Sequence, residues 1–87
     1  MHITQMPEDY ALVLQQIQES GQEDLTNLSE SLRIRRSRLA HIIDSLKHKG
    51  LVRLTQDYRD DVWIELSGKG RRLVAYLWPE TKLQPGF

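Results

Sequence analysis

The side chains with the most evident chemistry in this sequence are guanidinium groups, because Arg33, Arg35, Arg36 and Arg38 fall within six consecutive positions. Such groups stay charged at any physiological pH, and their forked donors match both phosphate oxygens and the acceptor edge of guanine. Lys47, Lys49 and Arg53 extend the run, so residues 33–53 hold seven bases against one acid, Asp44. Residues 1–32 are the reverse, with six acids (Glu8, Asp9, Glu19, Glu23, Asp24 and Glu30) and no Lys or Arg, while 54–87 balances five against five. The formal net charge of zero thus conceals a polarised chain, able to turn a basic face to a polyanion. The plainer reading of the same pattern is two solvated helices whose opposite charges attract.

Other chemistries lack a complete set of residues. Without cysteine there is no disulfide and no Cys-based zinc site. His41 and His48 lie seven residues apart and His2 is at the far terminus, which suits hydrogen bonding near phosphate better than metal ligation. No metal or cofactor is expected. There is no Ser/His/Asp or Cys/His arrangement, and Gly68 and Gly70 lack the rest of any nucleotide fingerprint, so the chain does not read as an enzyme. No apolar run approaches the roughly 18–20 residues that span a bilayer, and Met1-His2-Ile3-Thr4-Gln5 lacks a charged stretch followed by an apolar one. The expectation is a soluble, unprocessed, cytoplasmic protein without a membrane partner.

The elements that would position the arginines follow from apolar spacing. Tyr10, Val13, Leu14 and Ile17 recur at helical intervals behind Pro7, predicting a first helix over 7–20 that Gly21 terminates. Asp24 suits the N-cap of a short second helix with Leu25, Leu28 and Leu32 on one face, ending near Arg33. Leu39, Ile42, Ile43 and Leu46 predict a third helix over about 36–49, with Gly50 as its stop. The runs 51–55 and 62–66 read as strands joined by the polar turn 57–61, with Val62, Ile64 and Leu66 on the buried face and Trp63 and Glu65 on the other. Ser67 caps a fourth helix over about 68–78, which offers Leu73, Val74 and Leu77 to the core before Pro79. The 87 residues make one domain, with its core in 7–78 and an irregular tail over 79–87.

Helix, helix, helix, strand, strand, helix is the order of a winged helix-turn-helix, mainly α with a small β-hairpin. The stretch Leu28-Ser29-Glu30-Ser31-Leu32-Arg33-Ile34-Arg35-Arg36-Ser37-Arg38-Leu39, with Ile42-Ile43-Asp44-Ser45-Leu46 and Lys49-Gly50-Leu51-Val52 after it, resembles the recognition segment of MarR-type bacterial and archaeal regulators. Arg59 falls near that family's wing arginine, and Leu66-Ser67-Gly68-Lys69-Gly70-Arg71 is similar to the start of its post-wing helix. The resemblance covers roughly residues 10–77 and implies sequence-specific binding of double-stranded DNA by a small prokaryotic transcriptional regulator. Arg33 stands where the family often has glycine, and Asp57, Asp60 and Asp61 surround a wing that is usually basic. The extra terminal helices that form the family's dimer and ligand pocket do not fit in this length, so no small-molecule ligand is implied.

In a helix-turn-helix the second helix enters the major groove, its first residues reaching base edges. Arg36 and Arg38 are therefore the expected base readers, and Ser37, Ala40, His41 and Ser45 line the same surface. Arg35 and Lys49 are expected to hold phosphates, with Arg59 an accessory contact from the wing at 57–61. Asp44 would repel phosphate unless it pairs with Lys47 or His48 on its own helix, or accepts from a cytosine amino group. Leu12, Tyr76 and Trp78 fall off the buried stripes of the terminal helices and are candidates for a two-fold homodimer interface. The rival function is a winged helix that binds another protein, without direct DNA readout. The DNA reading requires that the arginines form an outward ridge; guanidinium groups tucked against the acidic first third would defeat it.

Overall fold

The computed structural model describes residues 6–79, so the leader reading at Met1 to Gln5, His2, and most of the proposed tail over 79–87 lie outside the described residues. Pro7, which has no amide hydrogen to leave unpaired, caps α1 (Glu8–Ser20) and accepts from the Tyr10 and Ala11 amides. The helix ends at Gly21, whose φ of 87° is open to glycine at little steric cost and whose N–H donates to the Ile17 carbonyl at 2.8 Å. Asp24 caps α2 (Leu25–Leu32) through a 2.7 Å bond from the Asn27 amide to its carboxylate.

Between α2 and α3 (Arg36–His48) the chain turns on Arg33, which takes the left-handed conformation at φ 57°, ψ 46°. This is how the turn is made without glycine. The Arg33 and Ile34 amides both donate to the Ser29 carbonyl, and the Ser29 hydroxyl donates to the Ile34 carbonyl at 2.6 Å. Those bonds hold a residue where its Cβ is crowded, at a cost of about 1–2 kcal/mol relative to a right-handed residue.

Strands β1 (Val52–Gln56) and β2 (Val62–Leu66) pair antiparallel, with Val52 opposite Leu66 and Gln56 opposite Val62. The first strand begins one residue later than the sequence predicts, since Leu51 is held by its amide to the Leu46 carbonyl. A backbone bridge absent from the sequence reading joins Glu23 to Ile64, each amide donating to the other's carbonyl at 2.9 and 2.7 Å. It fastens the hairpin to the α1–α2 turn from the side opposite β1. Finally α4 (Gly68–Leu77) starts at Ser67, whose hydroxyl accepts from Gly70 N–H and donates to the Gly50 carbonyl.

The core joins Val13, Leu14 and Ile17 of α1, Leu28 of α2, the stripe Leu39, Ile42, Ile43 and Leu46 of α3, Leu51, Val52, Ile64 and Leu66 at the hairpin base, and Val74 of α4. Burying each such side chain contributes roughly 1.5–3 kcal/mol relative to exposure. Two assignments are corrected. Val62 shares a face with Ile64 but is 45% exposed, because the strands project beyond the helices and only their base is covered. Trp78, expected at an exposed interface, is half-buried and packs on the core, since it follows directly on α4 with its amide still bonded to the Val74 carbonyl at 2.8 Å.

Candidate nucleic-acid interface

The head of α3 is unusual electrostatically. Its cap residue Arg35 offers no side-chain acceptor to the free amides, and its first turn holds Arg36 and Arg38 but no acid. The positive end of a helix dipole disfavours cations, so the arrangement concentrates positive potential where an external anion would be welcome. Arg33, Arg35, Arg36, Ser37 and Arg38 are all exposed, and the buried stripe on the opposite side of α3 fixes the helix beneath them.

What each guanidinium touches separates them. Arg36 donates from Nη1 to the Thr26 hydroxyl at 2.9 Å, a neutral partner that fixes its direction and leaves its charge uncompensated. Arg33 and Arg35 make no side-chain hydrogen bond or ion pair among the described residues. Arg38 corrects the sequence reading. Its Nε lies 3.2 Å from the Asp9 carboxylate, so this group is tucked against the acidic first third rather than aimed outward alone. The cause is helical geometry, since α3 packs against α1 and position 38 lies on the flank that meets the first turn of α1. An open groove of about 580 Å³ results, lined by Asp9, Arg33, Ile34, Arg35, Ser37, Arg38 and His41.

The remaining candidates are dispersed around this centre. Ala40 and His41 are exposed along α3, whereas Ser45 is half-buried. Asp44 has a helix neighbour within reach: His48 Nδ1 lies 3.6 Å from its carboxylate and 2.9 Å from its carbonyl. Lys49 is exposed at the opposite end of α3 from the groove. Arg59 sits at the hairpin tip, 3.8 Å from the Asp61 carboxylate and over the Tyr58 ring at 5.6 Å. Thr26 escaped the sequence reading, and Arg33 entered it as part of the basic run without a contact of its own. A base in the turn immediately before a basic helix was the available signal for Arg33; Thr26 had none.

The wing is organised by Asp57. Its carboxylate accepts from the Trp63 indole at 3.1 Å and from the amides of Arg59 and Asp61 at 2.8 and 3.1 Å. The indole bond is the main cause that holds the Asp57 carboxyl below the usual carboxylate range; loss of solvent opposes it, and the Arg59 and Asp61 amide bonds each add a lesser lowering. Asp60 adopts φ 66° in this tight loop. Trp63 therefore lies off the hairpin's core face as predicted, with its polar edge spent on the wing.

Neither a protein-family model nor a curated protein sequence matches the chain. Solved structures do. BpsR of Bordetella bronchiseptica, whose DNA binding is regulated by 6-hydroxynicotinic acid, superposes with a TM-score of 0.80 at 22% identity over 94% of this chain and 60% of its own. A mutant MarR of E. coli complexed with operator DNA gives 0.77 at 20% identity over 84% and 54%. A MarR family protein from Bacillus stearothermophilus gives 0.80 at 23% over 90% and 55%. The fold is the winged helix of MarR-type regulators. At these identities the likeness is one of architecture, and the chain spans little more than half the length of the proteins it matches. The expectation that no small-molecule ligand is implied is at odds with BpsR, a winged helix of this type that responds to one. Among the described residues, no helix is long and apolar enough to cross a membrane.

Proposed function

We propose that this winged helix binds double-stranded DNA in a sequence-specific manner, as a small transcriptional regulator. The observation that carries the reading is the cluster of exposed guanidinium groups of Arg33, Arg35 and Arg36 at the head of α3, none of them ion-paired among the described residues, set over an aliphatic base. Arg36, steadied by Thr26, is the first choice for a bidentate contact to guanine; Ser37, Ala40 and His41 continue the reading surface, and Ser45 lies at its half-buried edge. Arg35 and Lys49 hold phosphates, and Arg59 reaches the backbone from the wing. The likeness to a regulator complexed with operator DNA supports this use of the fold. Leu12 and Tyr76 are the exposed large apolar groups on the helices α1 and α4 and would serve a homodimer that presents two reading helices; Leu54, Tyr58 and Val62, also exposed, belong to the hairpin. Residues 1–87 act as one unit in this reading.

Fluorescence anisotropy of labelled duplex against salt concentration tests it. Affinity should fall by about 0.9 log units per log unit of salt for each phosphate contact, and Arg36→Ala should weaken binding to the preferred duplex, obtained by selection from a random-sequence pool, by about 1–3 kcal/mol with the circular dichroism unchanged. No binding at low salt, or binding indifferent to salt, would replace this reading with a protein-partner role.

A further inference from the structure

One carboxylate interrupts the basic groove at the head of α3. Asp9 comes from the first turn of α1, 29 residues before its partner Arg38, and among the described residues is the only acid in a lining that otherwise holds Arg33, Ile34, Arg35, Ser37, Arg38 and His41. A carboxylate and a phosphodiester present the same thing to a guanidinium, a pair of anionic oxygens that accept charge-assisted hydrogen bonds. Arg38 has five N–H donors, and Asp9 engages one of them, the Nε–H.

We propose that this groove seats one backbone phosphate of duplex DNA, and that Asp9 occupies it in the free protein as an intramolecular stand-in, releasing Arg38 when the phosphate enters. The proposal rests on the DNA reading above and adds to it a self-closing site whose further donors are Arg33, Arg35 and the Ser37 hydroxyl. Exchange needs no unfolding. The Arg38 and Asp9 side chains are 47% and 34% exposed, so solvent already screens the pair, and a phosphate that Arg33 and Arg35 also hold can displace the carboxylate. Each chain element supplies a part: α1 the latch, the left-handed turn at Arg33 one arm of the seat, and α3 the rest.

The latch is tested by anisotropy with a random-sequence duplex across a salt series, comparing the parent with Asp9→Asn and Glu8→Gln. Glu8 is the exposed neighbour on the same turn; its removal changes net charge equally but frees no guanidinium. D9N should bind about two- to fivefold more tightly and steepen the log–log salt slope by about 0.9, and E8Q should gain clearly less. Arg38→Ala should cost more affinity in the D9N background than in the parent, because only there is the guanidinium wholly free. Thermal melts verify that each variant is folded. Equal gains from D9N and E8Q, a loss of affinity in D9N, or an Arg38→Ala cost that is the same in both backgrounds would each overturn the latch while leaving DNA binding intact. Absence of salt-sensitive binding by the parent would instead remove the DNA reading itself, and the seat with it.

Discussion

At the scale of single residues, the difference between Arg36 and Arg38 shows how much a side chain's partner decides. They are two positions apart on one helix and chemically identical, yet one leans on a hydroxyl and keeps its charge available, while the other is matched by a carboxylate. Asp57 is the residue with the sharpest solution signature. Its carboxyl is held ionised by the Trp63 indole and two amides, so its folded value lies below its unfolded one. The stabilisation it lends the wing is therefore present above the ordinary aspartate range and lost as pH falls through the depressed folded value. An NMR titration should show the Trp63 indole N–H moving with a midpoint below an ordinary aspartate. A midpoint at or above that value would mean the indole bond does not form in solution, and Asp57→Asn should abolish the transition.

At the scale of elements, two backbone positions carry most of the geometric constraint. Arg33 turns the chain from α2 into α3 at φ 57°, a conformation that favours glycine. Arg33→Gly should relieve this crowding and raise stability by about 0.5–1 kcal/mol, net of the extra freedom glycine gives the unfolded chain. In a domain of this size that is a rise of about 2–8 °C in melting temperature. The same substitution should weaken DNA binding by removing a charge from the groove. Opposite signs in calorimetry and anisotropy would separate the turn's two roles; loss of both would show that the arginine itself holds the turn. Gly70 is constrained for another reason. A Cβ there would stand 2.1 Å from the Leu51 carbonyl oxygen, backbone that the Ser67 amide also holds. Gly70→Ala should force α4 off the hairpin base and cost about 1–3 kcal/mol in denaturant unfolding. A neutral result would mean that α4 does not pack closely on that turn in solution.

At the scale of the whole molecule, the fold divides into an apolar centre, a basic end at the head of α3, and an exposed apolar pair on α1 and α4. Tyr76 is 72% exposed and Leu12 39%, on helices that pack against each other. If they lie in a two-fold interface, Tyr76→Glu should lower the sedimentation-velocity mass from dimer to monomer and leave the melting curve nearly unchanged at low concentration. A parent that sediments as a monomer at every concentration would remove the dimer from the proposal.

The local sequence was sufficient for the elements. Apolar residues three and four apart can be buried together only in a helix, which is why the α3 stripe and the caps at Asp24 and Ser67 were readable before any coordinate. Alternation placed β2 to the residue, and composition located the basic end of the molecule. Contacts between elements were beyond that reach. Nothing in the spacing of Asp9 and Arg38, or of Glu23 and Ile64, announces that they meet, because those distances depend on how α1 packs across α3 and against the hairpin. Nor does alternation say where a strand leaves the core, which is why Val62 is exposed, or that the residue closing α4 still reaches it, which is why Trp78 is half-buried. Periodicity is a property of neighbours along the chain; which guanidinium stays free is a property of neighbours in space, and only the packed structure decides it.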